Sequence, residues 1–574
     1  GGGMVVLGKN NAKRSFLLER SKKAFSTINR FYFMETNKFP KEFYWGAATA
    51  SHQVEGGTLN DWTQWEKKNA KRLAETAALR WQEWQQEQFP EMFREENYIS
   101  GMACDHYNRY EEDFDIAGSL GHNAHRFSIE WSRVEPEEGK FDEKEIEHYR
   151  NVVRALRKRG MEPFITLWHW TNPVWVGEMG GWENKKTVDY FVRYAQKMAS
   201  SMDDVKFWIT INEPNISTAF GYITGAQPPG KKNILKAIAV FRNLFNAHKK
   251  ACEAIRACSS AASAGTTIIR IYFEPKSRSS INRIIAFCAD FFWNTIFFEY
   301  TIRYNDFVGC NYYRREFVGF GGKNTNNNIS DLGWEVYPEG MYRLLKELKK
   351  YRKPIYIFEN GLADAKDTKR AVFIRDHLSW VAKALAEGVD VRGYFHWSLL
   401  DNFEFPEVRG FWPRFGLVEV DYKTQNRTVR QSAWEYKRLI ENYTAKEEAA
   451  NDKKKKFVVG ILKKENSLLA EKRHAHEKYF AGNTLFPGGS IESDETSEEA
   501  LRREMDEELG IEIISAVLLG DFAYEDGRVS EVYIIERWRG KPHPHEAEEI
   551  LWITKEEELS NDFDRHIARQ IWAQ

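Results

Sequence analysis

The chain has no run of eighteen or more apolar residues, which excludes a membrane-spanning helix. It also lacks a charge excess. A formal net charge of −1 gives no electrostatic reason to expect a nucleic-acid polymer or an anionic membrane as partner. Cysteine is sparse and odd in number: Cys104, Cys252, Cys258, Cys288 and Cys310 show neither CxxC nor Cys/His metal spacing, so they read as reduced, mostly buried thiols in a reducing, cytoplasmic setting. Phe16-Leu17-Leu18 is too short for the apolar core of a secretory signal, and no internal repeats are evident. What is present is the 42% hydrophobic and 29% charged balance of globular protein, in 574 residues that require more than one core.

Composition divides the chain. Residues 1–37 read as a disordered basic extension: the first 33 residues carry seven Lys/Arg against the single acid Glu19. Organised sequence begins at 38. A helical segment over Ser432 to Tyr443 runs into Lys446-Glu447-Glu448-Ala449-Ala450-Asn451-Asp452 and Lys453 to Lys456, so 446–455 reads as a solvated linker between a domain at 38–445 and another at 456–574. Phe457 to Leu462 restarts as a strand.

Between 39 and 445, eight β-rich runs alternate with amphipathic stretches, the rhythm of parallel βα units. They are Phe43 to Ala50, Ala124 to Trp131, Glu162 to Trp170, Lys206 to Glu213, Ile268 to Glu274, Asp306 to Tyr313, Pro354 to Asn360 and Val391 to Ser398. Polar or aromatic residues end several of them, as in His169-Trp170, Asn212-Glu213 and Glu359-Asn360. In a (β/α)8 TIM barrel those ends form the mouth of the active site.

Phe43 to Gly56, Trp208-Ile209-Thr210-Ile211-Asn212-Glu213-Pro214 and Ile357-Phe358-Glu359-Asn360-Gly361 are similar to the signatures of glycoside hydrolase family 1, in the family's order. The resemblance implies a retaining β-glycosidase acting on β-glucosides, β-galactosides or oligosaccharides without a cofactor, through two carboxyls about 5 to 5.5 Å apart. Glu359 is then the nucleophile and Glu213 the acid/base, with Arg126 and Tyr313 holding Glu359 ionised. Gln53, His169, Asn212, Asn311, Glu404 and Phe405 would contact the sugar, and Trp397 would stack on its apolar face. Two departures bear on specificity: Phe358 stands where the family has a small polar residue, and Phe405 where it has a tryptophan. The region after Asn402 lacks the Ser/Lys/Tyr set of a 6-phosphoglycosidase. A third departure is the shortness of 228–306, which reads as a thin or mobile wall, its aromatic run Phe287 to Tyr300 either packed on the sheet as core or, where the wall is truncated, bordering an apolar cavity that admits a bulky ligand. The alternative from another class is a barrel that only binds or senses a sugar.

In the C-terminal region, Gly489-x5-Glu495-x7-Arg503-Glu504-Met505-x-Glu507-Glu508-x-Gly510 places three glutamates at i, i+3 and i+4, one face of a helix, where their oxygens suit a hard cation. Thr496 and Glu499 make a capping-box pattern at its start. The stretch resembles a complete Nudix box on a smaller α/β/α-sandwich domain. That resemblance implies Mg2+ (or Mn2+) on Glu504, Glu507 and Glu508, supporting roles for Gly489, Glu495, Arg503 and Gly510, and a nucleoside diphosphate or triphosphate derivative as substrate.

Overall fold

The computed structural model describes residues 39–573 apart from 203, 322–327, 406–408, 453–455, 476–480, 493–494 and 524–528; for 445–452 and 523 it describes the backbone alone. The basic extension read over 1–37 and the linker lysines Lys453 to Lys455 lie outside the described residues. Two compact units meet between Thr444 and Ala445.

The first unit is a closed barrel of eight parallel strands in sequential order. They are β1 (Tyr44–Ala48), β2 (Ala124–Ser128), β3 (Glu162–Trp168), β4 (Phe207–Asn212), β5 (Ser263–Pro275), β6 (Val308–Val318), β7 (Ile355–Asn360) and β8 (Val391–Trp397). β1 closes the ring against β8, from Tyr44 beside Gly393 to Ala48 beside Trp397. Inside, aromatic rings fill the lower barrel: Phe164 stacks on Phe207 with centroids 4.2 Å apart, and Tyr356 lies over Phe358 at 5.6 Å. The barrel is therefore a packed core, with open space only at its mouth.

The outer ring contains α1 (Asp61–Glu75), α2 (His106–Ser119), α3 (Glu143–Lys158), α4 (Lys186–Ser201), α5 (Ile234–Cys258), α6 (Ser280–Asp290), α7 (Pro338–Leu348) and α8 (Arg370–Ala386). α3 shows how such a helix is specified. Asp142 caps it by accepting from the amides of Lys144 and Glu145, and Ile146, Tyr149, Val153 and Leu156 form one buried stripe. Ile146 and Leu156, both fully buried, contribute about 1.5–3 kcal/mol each. A final helix, α9, spans Gln431–Asp452, so the backbone stays helical through residues whose composition reads as linker.

At 228–306 the barrel sheet is continuous. β5 pairs with β4 on one side and with β6 on the other, up to Pro275 beside Val318. Its aromatic run is split: Phe297 and Phe298 are buried, but Phe287 is 72% and Phe292 65% exposed, so half the run is surface and not core.

After the small hairpin β9 (Val418–Val420) and β10 (Arg427–Val429), the second unit holds β11 (Lys456–Lys464), β12 (Ser467–Lys472), β13 (Thr484–Leu485), β14 (Gly488–Ser490), β15 (Glu512–Ala523), β16 (Val529–Arg539) and β17 (Glu549–Ile553). The sheet order is β13-β12-β11-β16-β15, with β14 on β11 and β17 on β12. Along β11, Val458 and Leu462 face one core with α10 (Ser497–Leu509), while Val459 and Ile461 face another with α11 (Asp562–Trp572). The strand's period of two thus buries both faces under helices, giving the α/β/α sandwich.

Candidate active sites

In the barrel, the strand ends bring ten of the eleven expected residues into one connected group. Glu359 leaves the end of β7 with its carboxylate held from both sides: Arg126 on β2 donates at 2.5 Å and the Tyr313 hydroxyl on β6 at 2.7 Å. The same guanidinium donates to Asn212 Oδ1 at 2.6 Å. Asn311 donates to Glu213 at 2.6 Å, and Asn212 faces His169 Nε2 at 3.2 Å. Trp397, ending β8, donates its indole N–H to Glu404 at 3.0 Å, and Gln53 donates to Asn402 Oδ1 and to the Phe403 carbonyl. Glu213 adopts the left-handed φ of +45°, its amide donating to the Thr267 carbonyl at 2.9 Å, which turns its carboxyl away from the β4 direction and toward the cavity.

Burial sets the charges. Desolvation raises the Glu213 carboxyl well above the ordinary carboxylate range; the charge of Glu359 raises it further, and the Asn311 hydrogen bond opposes both. Glu404 is pushed up to about 7, by desolvation first, against the attraction of Arg409. His169 is driven well below its ordinary value by burial and by Arg126, so its imidazole is neutral.

A cavity of about 240 Å³ opens over this group, lined by Gln53, His169, Glu213, Tyr313, Glu359, Trp397 and Glu404. Asn212, Asn311 and Arg126 act on the lining residues from behind. Phe405 is a correction: it is fully buried, stacked on His52 at 4.9 Å and packed on Trp62, and it does not line the cavity. Without a polar tip to present to a sugar, the ring follows its apolar preference into the core.

In the second unit, Thr496 and Glu499 form the capping box that starts α10, and Gly510 ends it at φ +63°. Arg503 gathers the box's acids, donating to Glu495 at 2.7 Å, Glu504 at 2.8 Å and Glu507 at 3.0 Å. Glu508 is buried and accepts from Arg473 and from the Gly488 amide. Desolvation, then the charge of Glu471, raises its carboxyl well above the ordinary range. At Gly489 a Cβ would fall 2.1 Å from the Glu504 carboxyl, so glycine there is what lets the carboxyl lie against the backbone. Among the described residues no three acidic, His or Cys side chains converge closely enough to enclose a metal ion; Glu504 and Glu507 are paired with Arg503 and Glu508 with Arg473. The donor set itself, three carboxylates on one helix beside a glycine cradle, fits a hard divalent cation in its chemistry.

The family model for glycosyl hydrolase family 1 matches residues 35–309 and 305–445. The chain belongs to that family. The NUDIX domain model matches residues 454–571, so a Nudix domain follows the glycosidase barrel in one chain. Beta-glucosidase A of Thermotoga maritima is 34% identical over 460 residues, covering 71% of this chain and 99% of that one. The 6-phospho-beta-galactosidase of Staphylococcus epidermidis is 30% identical over 492 residues, with 71% and 99% covered. Among solved structures, a beta-glycosidase from Pyrococcus horikoshii superposes with a TM-score of 0.63 at 35% identity, covering 71% of this chain and 95% of that one. In the first of these alignments, 71% of 574 residues is about 408, against 460 aligned positions, so roughly fifty positions lie opposite gaps in this chain.

Several lining residues of this family 1 barrel escape sequence reasoning. Trp334, from the loop after β6, belongs to no motif quoted above, and Trp293, from a π-helical turn at Phe291–Thr295, lies in the aromatic run Phe287 to Tyr300 and turns to the cavity. Ile269, Ile271 and Phe273 line the cavity from the upper part of β5. The signal for Trp334 is faint: a lone tryptophan in the polar loop Asp331-Leu332-Gly333-Trp334. Phe358, the other departure, sits at a register shift of β7 against both neighbours and joins the aromatic stack inside the barrel, below Arg126.

Proposed function

We propose that the family 1 barrel hydrolyses terminal β-glucosides or β-galactosides with retention, by double displacement. The observation that carries this reading is the asymmetry of the two carboxyls: Glu359 accepts hydrogen bonds from the Arg126 guanidinium and the Tyr313 hydroxyl, while burial, then the charge of Glu359, raises Glu213 well above the ordinary carboxylate range. Glu359 attacks the anomeric carbon while Glu213 protonates the departing oxygen. Formation of the glycosyl ester removes the charge of Glu359, which lowers the pKa of Glu213 and readies it to deprotonate the incoming water. Gln53, His169 and Glu404 offer hydrogen bonds to sugar hydroxyls, and Trp397 offers its ring face. No observation favours a barrel that only binds. The absence of a Ser/Lys/Tyr set after Asn402 speaks for an unphosphorylated sugar.

The test is turnover of p-nitrophenyl β-glucoside and β-galactoside. Glu359→Ala should abolish it, and Glu213→Gln should lower the rate by about 10² to 10⁴. In the wild type, kcat/KM should fall as pH rises through the elevated pKa of Glu213, and Glu213→Gln should lose that basic limb. Full turnover in Glu359→Ala would overturn the assignment.

For the second unit we propose hydrolysis of the diphosphate linkage in a nucleoside diphosphate or triphosphate derivative. Glu504, Glu507 and Glu508 would hold Mg2+, which when bound supplies charge neutralisation on the diphosphate and an activated water. Arg503 would yield its hold on Glu504 and Glu507 and orient a carboxylate through Glu495. A cytoplasmic location accords with the free thiols and with the absence, among the described residues, of a helix able to cross a membrane.

A further inference from the structure

α6 and the π-helical turn that follows it are inside out. Their buried positions are Asn282, Ala286 and Asn294, and both asparagines dock by pairing with backbone, Asn282 with the amide and carbonyl of Phe320 and Asn294 with those of Ile271. The apolar side chains point the other way. Ile281, Ile284, Phe287 and Phe291, spaced three or four residues apart, make one exposed stripe. α5 extends it. That helix runs beside the segment in the same direction, Phe241 meeting the ring of Phe297 and Phe245 that of Tyr300. The exposed Ile238 and Leu235, one and two turns earlier, therefore come level with the turn that carries Phe291 and Phe292. The same turn sends Trp293 to the catalytic cavity, so the patch borders that cavity's wall.

A contiguous apolar surface of this kind marks a site of interaction. Its rim shows with what. Residues 228–306 hold twelve Lys/Arg against five Asp/Glu, a local excess of seven positive charges that the chain's net of −1 conceals. Three of those acids, Glu274, Glu299 and Asp306, are paired with Arg315, Lys350 and Arg256. Lys232, Arg242, Lys276, Arg278 and Arg283 flank the apolar residues along the chain, are exposed, and have no acidic partner among the described residues. A second copy of the chain docked about a twofold axis would set these cations against their own kind. An apolar patch ringed by unpaired cations instead matches the boundary between acyl chains and anionic headgroups.

We propose that this face of the barrel docks on an anionic lipid surface, with Ile284, Phe287 and Phe292 entering the acyl boundary and Lys232, Arg278 and Arg283 meeting headgroup phosphates. The attachment is peripheral, since no helix among the described residues is long and apolar enough to cross a membrane.

Sedimentation of the full-length protein with phosphatidylcholine vesicles, prepared with and without phosphatidylglycerol, tests the proposal. Binding is expected to the vesicles that contain phosphatidylglycerol and at most weakly to the others, and it should fall as salt is raised. Ile284→Ser combined with Phe287→Ser should reduce the partition coefficient at least tenfold. Arg278→Ser combined with Arg283→Ser should reduce it about 25-fold, at about fivefold per cation. All four positions are exposed, so both double variants should keep the melting temperature and the p-nitrophenyl β-glucoside rate of the wild type. No sedimentation with either vesicle, equal sedimentation with both, or binding indifferent to both double variants would overturn the proposal. So would a dimer in vesicle-free buffer that Ile284→Ser with Phe287→Ser dissociates, which would assign the face to a second copy.

Discussion

Glu404 is 3% exposed and its carboxyl is pushed up to about 7, from the 4.5 of a glutamate in water. Between those two values the folded protein keeps a proton that the unfolded chain releases, so the barrel should lose stability as pH rises from about 4.5 to about 7 and change little from this source beyond. The cost accumulates to about 3 kcal/mol at 1.36 kcal/mol per pH unit. Denaturant unfolding of wild type and Glu404→Gln across this range checks it: the two should converge near pH 4.5 and separate toward pH 7, with the variant the more stable. At this scale the sequence was legible where a motif fixes both identity and place, as at Arg126, Asn212, Glu213 and Glu359. It was silent at Trp334, which reaches the cavity from a loop, marked Trp293 only as part of an aromatic run, and was misleading at Phe405, whose place in the motif does not reveal that its ring turns into the core.

Strand β5 begins at Ser263, five residues before the apolar run at Ile268 announces it. Ser263-Ala264-Gly265-Thr266 has no strand-like alternation because its side chains are constrained by a neighbour and not by solvent: a Cβ on Gly265 would stand 2.6 Å from the ring of Phe307. Gly265→Ala should therefore overpack the lower barrel and cost about 1–3 kcal/mol, read from the unfolding midpoint. The helix of the Nudix box, by contrast, was fully written in its sequence, since the caps at Thr496 and Gly510 are local chemistry. Its cradle offers a sharper test. Gly489→Ala displaces the Glu504 carboxyl, so Mn2+ affinity measured by electron paramagnetic resonance should drop by an order of magnitude or more, while glycosidase kinetics stay as they are.

Each of the two units has cores of its own and a charged cluster built from its own residues. Residues 39–444 and 456–573 expressed separately should each retain the kcat and KM of the full chain; a several-fold loss in either would establish cooperation. The order of barrel strands could be read from the rhythm of the sequence, whereas closure could not, because it depends on a contact between the two most distant strands.

That contact sets a clock. β1 finds its second neighbour only in β8, about 350 residues later, and a ribosome adding 5–20 residues per second needs roughly 20 to 70 s to deliver it. Throughout that interval the nascent chain offers Tyr44 to Ala48 as an unpaired strand edge, open to pairing with other chains. Any messenger truncated or stalled before Val391 should therefore yield aggregate in place of a partly active enzyme, and the dependence of yield on chaperones should be concentrated in the first two-thirds of translation.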